Sequence, residues 1–383
     1  MDPGLGPNQV ELMTALHDML ALMFRETGTI AVVQPKVLER QPPDRLLSLS
    51  VSGQNDVATQ IRAVLETPAD ARVVWTGQKG IVTDQCAQHS NAGLMAFCNQ
   101  ILEVTCQAER FVDLAGEHSP VPAGRDLSSS VSFAVSSIFS IRSDRIQNAV
   151  VVLEDLVTEQ SHPVLYAWLA QAYTIQYVER YKPADAELRE RCEEACRAAL
   201  AGGAQNSNVL AAVANARTNI NRNYLAGMQL AEQSIKANPA NPLAWWSYSN
   251  ALQCVGRSEL AHRAAKNSQL LADRTSLQFW CDFQVSVTAA LLGETEAAIE
   301  HGERAVALVP DFRPPLRYLT ALYAMEGDSE AMGRTANALK SVELDFSVTQ
   351  MIEDEDYPIG MMRRYGKNLT RALRNVASES DLD

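Results

Sequence analysis

Long apolar runs are missing from this chain of 383 residues. No stretch approaches the roughly 18 uncharged apolar residues from which a membrane-spanning helix is built, so no membrane partner is expected. Basic residues are also scarce: 33 Lys and Arg stand against 46 Asp and Glu, a net charge of −13. Nucleic acid demands clustered cations to neutralise its phosphates, and direct nucleic-acid binding is therefore not expected. The acidity is spread, −6 over residues 1–127 and −7 over the remainder, so no segment is a basic arm. Cysteines are few and odd in number: Cys86, Cys98, Cys106, Cys192, Cys196, Cys254 and Cys281, all within helix-like segments. A secreted disulfide framework is even and loop-rich, and a cytoplasmic setting fits better. Met1-Asp2-Pro3-Gly4 has neither the basic nor the apolar region of a secretion signal. A phosphate-cradling loop is lacking too, because Gly4-Leu5-Gly6 has no third glycine and no strand before it.

What the chain does have is a repeat. Asn238-Pro239-Ala240-Asn241-Pro242-Leu243-Ala244-Trp245 closes one unit on proline and opens the next on tryptophan. In that unit Gly256 ends a first helix, and Ala261 and Ser268 fall where a second helix crosses it. The next unit turns at Gly293, crosses at Ala298 and Ala305, and closes on Leu308-Val309-Pro310. Another runs from Arg313 through Leu316, Leu319, Tyr323, Gly327 and Ala331. Short side chains at the crossings let paired helices approach to about 8–9 Å, and stacked units bury a core that one unit could not. Gly293 and Gly327 lie 34 residues apart, against 37 for Gly256 and Gly293, which places a three-residue insertion near Asp273–Ser276. Upstream, one unit starts near Asn208, with looser units around Ser128–His162 and Val164–Gln205. A period of about 34 residues with these positions is that of the tetratricopeptide repeat. The chain thus reads as mainly α: an elongated, right-handed tetratricopeptide-type α-solenoid of five to six units over 128–375, free of strands, before an acidic tail at 376–383.

The first 112 residues read as a small α+β domain, followed by a Pro/Gly-containing linker at 113–127. Leu12, Leu16, Met19, Leu20 and Met23 mark one face of a helix over roughly 9–25. Ile30–Val33 reads as a short strand. Leu47–Val51, Ile61–Leu65 and Val73–Trp75 then form a three-stranded meander with polar turns, the first at Gly53–Asp56. Leu94, Cys98, Ile101 and Leu102 rebuild a helix.

In this order the chain resembles a bacterial architecture, a TolB amino-terminal-like domain followed by tetratricopeptide repeats, found in winged-helix transcription regulators and class III adenylate cyclases. Val10–Leu16 is similar to that family's first helix; Leu47–Gln54, Gln60–Leu65 and Val73–Gly77 are similar to its meander. Asp345–Val348 and Asp356-Tyr357-Pro358 are similar to its terminal segment. The family's opening strand is not matched in Met1–Asn8, and no winged-helix or cyclase domain is matched either. The resemblance therefore implies a regulatory region without its output domain, and a sheet edge open to homodimerisation.

Candidate chemistry is thin. Cys192 and Cys196 stand four apart on one helix without a second ligand pair, so they read as packing residues. The six histidines are scattered, with His262 and His301 read as solvated. Glu353–Asp356 lacks the alternation and glycine of a calcium loop, and Asp84 reads as an N-cap. Met13, Met19 and Met23 read as core rather than as a binding groove. No nucleophile–base pair or metal set can be assembled, so neither an enzyme nor a cofactor is expected. The groove is different. First helices of a tetratricopeptide solenoid line its concave face, and repeat position places Asn219, Trp246, Asn250, Gln253, Trp280, Phe283 and Arg317 there. Exposed tryptophan is costly without a purpose, and amides pair with peptide backbone. A protein or peptide partner in this groove is expected, with Arg317 favouring an acidic group at one end. Self-packing, or cover by the chain's own Phe346–Tyr365, is the competing reading. The carboxylate clamp of chaperone-binding repeats is absent, because Ala212, Trp246 and Phe283 stand at its positions. A regulatory protein is the first functional reading, a stand-alone scaffold the second, and an enzyme the least favoured.

Overall fold

The computed structural model describes residues 6–28, 45–55, 58–68, 72–82, 92–108, 127–179, 181, 186–354, 357–360, 362 and 367–377. Leu12, Leu16, Leu20 and Met23 recur at helical spacing and bury one face of α1 (Pro7–Glu26). Strands β1 (Leu46–Asn55), β2 (Ala58–Thr67) and β3 (Arg72–Val82) follow as an antiparallel meander in the order β1-β2-β3. Alternation puts Ile61, Ala63 and Leu65 of β2 on one fully buried face, with Leu65 opposite Leu47 and Trp75. Helix α2 (Ala92–Ala108) adds Phe97, Cys98 and Ile101 to the same core, and the Phe97 and Trp75 rings are 6.3 Å apart. The strand expected at Ile30–Val33, the cap at Asp84, the linker ahead of Leu127 and the tail beyond Ala377 lie outside the described residues.

Six helix pairs then stack as a right-handed tetratricopeptide solenoid. They are α3 (Leu127–Ile138) with α4 (Ser143–Glu159), α5 (Pro163–Val178) with α6 (Ala186–Gly203), and α7 (Ser207–Asn219) with α8 (Tyr224–Ala237). The array continues through α9 (Pro242–Cys254) with α10 (Ser258–Leu271), α11 (Gln278–Leu292) with α12 (Thr295–Leu308), and α13 (Arg313–Glu326) with α14 (Ser329–Val342). No strand lies among its described residues. The crossing residues Ala261, Ser268, Ala298 and Ala305 are all fully buried. Gly302 is a further crossing that the repeat pattern did not reveal, since a Cβ there would lie 2.9 Å from Leu319. Gly293 and Gly327 close α11 and α13 in the left-handed region, at φ 80° and 75°. The loops start helices with asparagine: Asn206, Asn223 and Asn241 each accept a backbone N–H of the following turn. Helices α15 (Val348–Glu353) and α16 (Lys367–Ala377) cover the last pair, α16 lying on α13.

Two contacts show that the array is not open and elongated, as its repeat count suggested. Phe139, at the end of α3, sets its ring 5.3 Å from that of Trp280 on α11. Arg313, at the start of α13, donates to the Glu179 carbonyl at the end of α5 (2.9 Å) and lies over the Tyr181 ring. The superhelix therefore curls until its first two pairs meet its last two.

The N-terminal unit is docked on this array. Asn99 of α2 donates to the carbonyls of Ala240 (2.9 Å) and Leu271 (3.1 Å), and Gln100 donates to that of Asp273 (3.0 Å). The Glu103 carboxylate accepts the Ser276 N–H. At the end of α1 the Glu26 carboxylate accepts from Ser207 N–H (2.8 Å) and Asn238 Nδ2 (2.7 Å). Ala240 and Leu271 accordingly belong to the same apolar cluster as α1, α2 and the sheet.

Candidate functional site

Three features occupy the interior of the curled array: an aromatic row, an amide ladder and a charged seam. The row starts at Trp168 of α5, whose ring lies 6.1 Å from Phe139, and passes through Trp280 to Trp246 at 5.0 Å. A branch runs from Trp280 to Phe279, then to Phe312, Phe283 and Tyr318, the last three steps at 5.0–5.6 Å and edge to face. Trp246, Trp280 and Phe283 each keep only 8% of their surface exposed. Among the described residues, what covers Trp280 is the chain's own Phe139, at the end of α3. The row thus brings together three of the residues placed by repeat position, but as a packed layer rather than an open surface.

Asn250 and Gln253 belong to the ladder. Gln253 donates to Asn250 Oδ1 (2.8 Å), and Gln284 of the next first helix donates to Gln253 Oε1 (3.1 Å) and Ser249 Oγ (2.9 Å). Asn219 stands apart in a second ladder, donating to Asn215, which donates to Gln171. Bonds between successive first helices register the pairs against one another. Two donors on α9 are left over: Trp246 Nε1 and Asn250 Nδ2 are buried and meet no acceptor among the described residues. They are four residues apart and so share one helix face.

Arg317 lies at neither. It is fully buried at the seam, where Nε donates to Glu343 Oε2 (2.8 Å), Nη1 donates to the Val178 carbonyl (3.3 Å), and the guanidinium lies 5.6 Å from the centre of the Tyr357 ring. The acidic group expected at Arg317 is thus supplied by the same chain, and the C-terminal segment does cover this end. Glu179 shares the seam and is almost wholly buried; desolvation pushes its carboxyl up to about 7, against the pull of Arg317 and Arg313. Sequence reasoning missed Glu179 and Phe139, since both end helices of the looser units, where no repeat consensus marks them.

A cavity of about 190 Å³ lies where α1, α2 and α3 meet α5, α9 and the loop before α11. Met23, Leu102, Val131, Val135, Trp168 and Leu243 supply its apolar walls, with Glu26, Asn99 and Asn241 at its polar side. Burial pushes the Cys98 and Cys281 thiols up to about 12, and Cys192 donates to the Ala170 carbonyl. Among the described residues no three His, Cys, Asp or Glu side chains converge as metal ligands. His262 is not solvated as its position suggested: it is buried, with Nδ1 3.0 Å from Thr288 Oγ1. His301 is partly buried, 3.1 Å from Gln269 Nε2. Among the described residues no helix is long and apolar enough to cross a membrane.

No protein-family model and no curated protein matches the chain. Solved structures of tetratricopeptide proteins do. One from Thermus thermophilus is 14% identical, covering 55% of this chain and 98% of its own, with a TM-score of 0.39. One from Parabacteroides merdae is 11% identical, covering 73% and 95%, with a TM-score of 0.42. YrrB, described as having an unusual peptide-binding site, is 12% identical, covering 56% and 97%, with a TM-score of 0.33. At these values the fold assignment rests on the helix pairs themselves.

Proposed function

We propose that the protein is a non-catalytic adaptor whose inner face, centred on α9, holds an extended segment of a protein partner. The observation that carries this reading is the pair of buried donors, Trp246 Nε1 and Asn250 Nδ2, that no group among the described residues satisfies. An unpaired buried donor costs about 1–3 kcal/mol. Two on one face fit the carbonyl oxygens of a peptide backbone. Asn219, Gln253, Trp280 and Phe283 would flank that segment, and Arg317 would hold the seam beside it. Opening of the seam would have to precede entry, since α3 lies over Trp280. Peptides selected from a random display library on the full chain supply the probe. Asn250→Leu should weaken a selected peptide about 3- to 10-fold, one hydrogen bond's worth, and should also lower the melting temperature, because Gln253 loses its acceptor. Selection of no peptide, or an Asn250→Leu chain that binds equally well, would overturn the reading.

A regulatory role is the finer form of this proposal. The helix–meander–helix order of residues 7–108 supports a TolB amino-terminal-like domain, as in winged-helix regulators and class III cyclases. Among the described residues β1 and β3 each pair with β2 alone, which favours homodimerisation through a sheet edge. A chain that sediments as a monomer at all concentrations would exclude it. The net charge of −13 supports a protein rather than a nucleic-acid partner, and a cytoplasmic setting is retained from the cysteine pattern. Turnover of a small molecule by the purified chain would refute the adaptor reading in all its forms.

A further inference from the structure

We infer that the cavity between the N-terminal unit and the solenoid is a binding site for one uncharged aromatic ring, of benzene to indole size. The pocket opens on one side to solvent, and its volume of about 190 Å³ leaves room for one such ring, since an apolar protein cavity of about 150 Å³ takes up benzene. Its walls decide the polarity. Met23, Leu102, Val131, Val135, Trp168 and Leu243 come from five different helices and present carbon. The polar side is already satisfied internally. Asn99 donates to Ala240 and Leu271, Glu26 accepts from Ser207 and Asn238, and Asn241 donates to Ser207 Oγ and Asn208 Oδ1. Ser136 and Thr275 likewise donate to the carbonyls of Phe133 and Ala272. A second carboxylate, Glu103, also lines this side and accepts the Ser276 N–H, so a charged or strongly hydrogen-bonding ligand would have to draw Glu26, Glu103 and these amides from their partners; a ring would not. Trp168 and the adjacent Phe139 edge offer the tilted contacts that aromatic rings favour.

Position gives the site its consequence. The cavity walls include α1 and α2 on one side and α5, α9 and the α10–α11 loop on the other, so an occupant bridges the docked unit and the array. It also touches Phe139, which covers Trp280, so occupancy would stabilise the curled form in which the inner face is closed. This inference does not rest on the adaptor reading: the ring site can be present whether or not a peptide binds.

The test uses the full chain with indole and toluene as probes. Saturation-transfer NMR should show both bound, and the melting temperature should rise with probe concentration, as it does for any ligand of the native state alone. Val135→Trp should fill the space and abolish both signals. Leu102→Ala should enlarge it, so that naphthalene binds more tightly than to the parent chain. Because the second variant gains affinity, a folding defect in the first cannot imitate the result. Absence of probe binding to the parent chain, or binding indifferent to both substitutions, would overturn the inference.

Discussion

Replacing Glu179 by Gln should flatten the pH dependence of stability between about pH 5 and pH 8. Glu179 caps the end of α5 at the seam where the second helix pair meets the sixth, and 2% of its surface is exposed. The groups facing it are Arg313 and Arg317 from α13, Glu343 beyond α14, Tyr181 on its own side with Asp311 near that ring, and Tyr357 near Arg317. Arg317 is already engaged by Glu343, which leaves Glu179 as a second carboxylate around one buried guanidinium. Desolvation therefore wins, and its carboxyl rises from 4.5 to about 7. The sign follows by linkage. Between 4.5 and about 7 the native state holds a proton that the unfolded chain has lost, so stability falls as pH rises through this window. The contribution is fully present below about 4.5 and gone above about 7. At about 1.4 kcal/mol for each pH unit, the loss amounts to about 3 kcal/mol. Gln is neutral throughout and has no such loss. Urea unfolding followed by circular dichroism at pH 5, 6, 7 and 8 measures the difference, from which the carboxyls remote from Glu179 cancel. The parent chain should weaken relative to Glu179→Gln by about 3 kcal/mol across the series. Parallel curves would refute the reasoning and, with it, the buried state of the seam.

Two further substitutions probe the packing. Ala298→Phe should cost about 1–3 kcal/mol in thermal unfolding, because Ala298 is fully buried at a helix crossing and overpacking forces the pair apart; unchanged stability would mean the register is wrong. Trp280→Ala should cost about 3–5 kcal/mol, since the ring contacts Phe139, Trp246 and Phe279. An unchanged melting temperature would show that α3 does not hold the inner face closed.

The repeat register was legible in the sequence because each of its marks answers a local requirement. Gly293 and Gly327 sit where only a left-handed turn ends the helix, and Ala298 and Ala305 sit where only a small side chain lets two helices cross. The meander was legible for the same reason, through the alternation of Ile61, Ala63 and Leu65. Closure of the superhelix was not. It is the sum of small rotations over six pairs, and no single residue records it. Position 246 or 280 in a first helix says that a side chain points inward; whether it meets a ligand, or Phe139 from the other end of the array, depends on that sum. Arg317 misled for a related reason, since its partner Glu343 is near in sequence but follows the last repeat. Glu26 gave no signal at all, being one more acidic residue at a helix end until Ser207 and Asn238 were placed beside it.

The longer loop between α10 and α11, six residues against four between α8 and α9 and between α12 and α13, belongs to this second kind of information. Nothing in the helix pairing calls for the added length, because the following unit turns without it. It also carries a cost: Arg274 adopts φ 57°, a left-handed conformation that disfavours a non-glycine residue by roughly 1–2 kcal/mol. That cost is offset by bonds from the docked unit and from the start of α11. Gln100 donates to Asp273 and Glu103 accepts from Ser276, while Gln278 accepts the Arg274 N–H. The insertion is therefore better understood as a landing surface for α2 than as slack in the solenoid. Asn238, in the loop before α9, acts in the same way toward Glu26. Loops at the edge of the array thus bind the α+β unit, and the same loops bound the ring-sized cavity, so docking and cavity are one structure. A change in either must be felt at Phe139, and through it at the aromatic row inside the array.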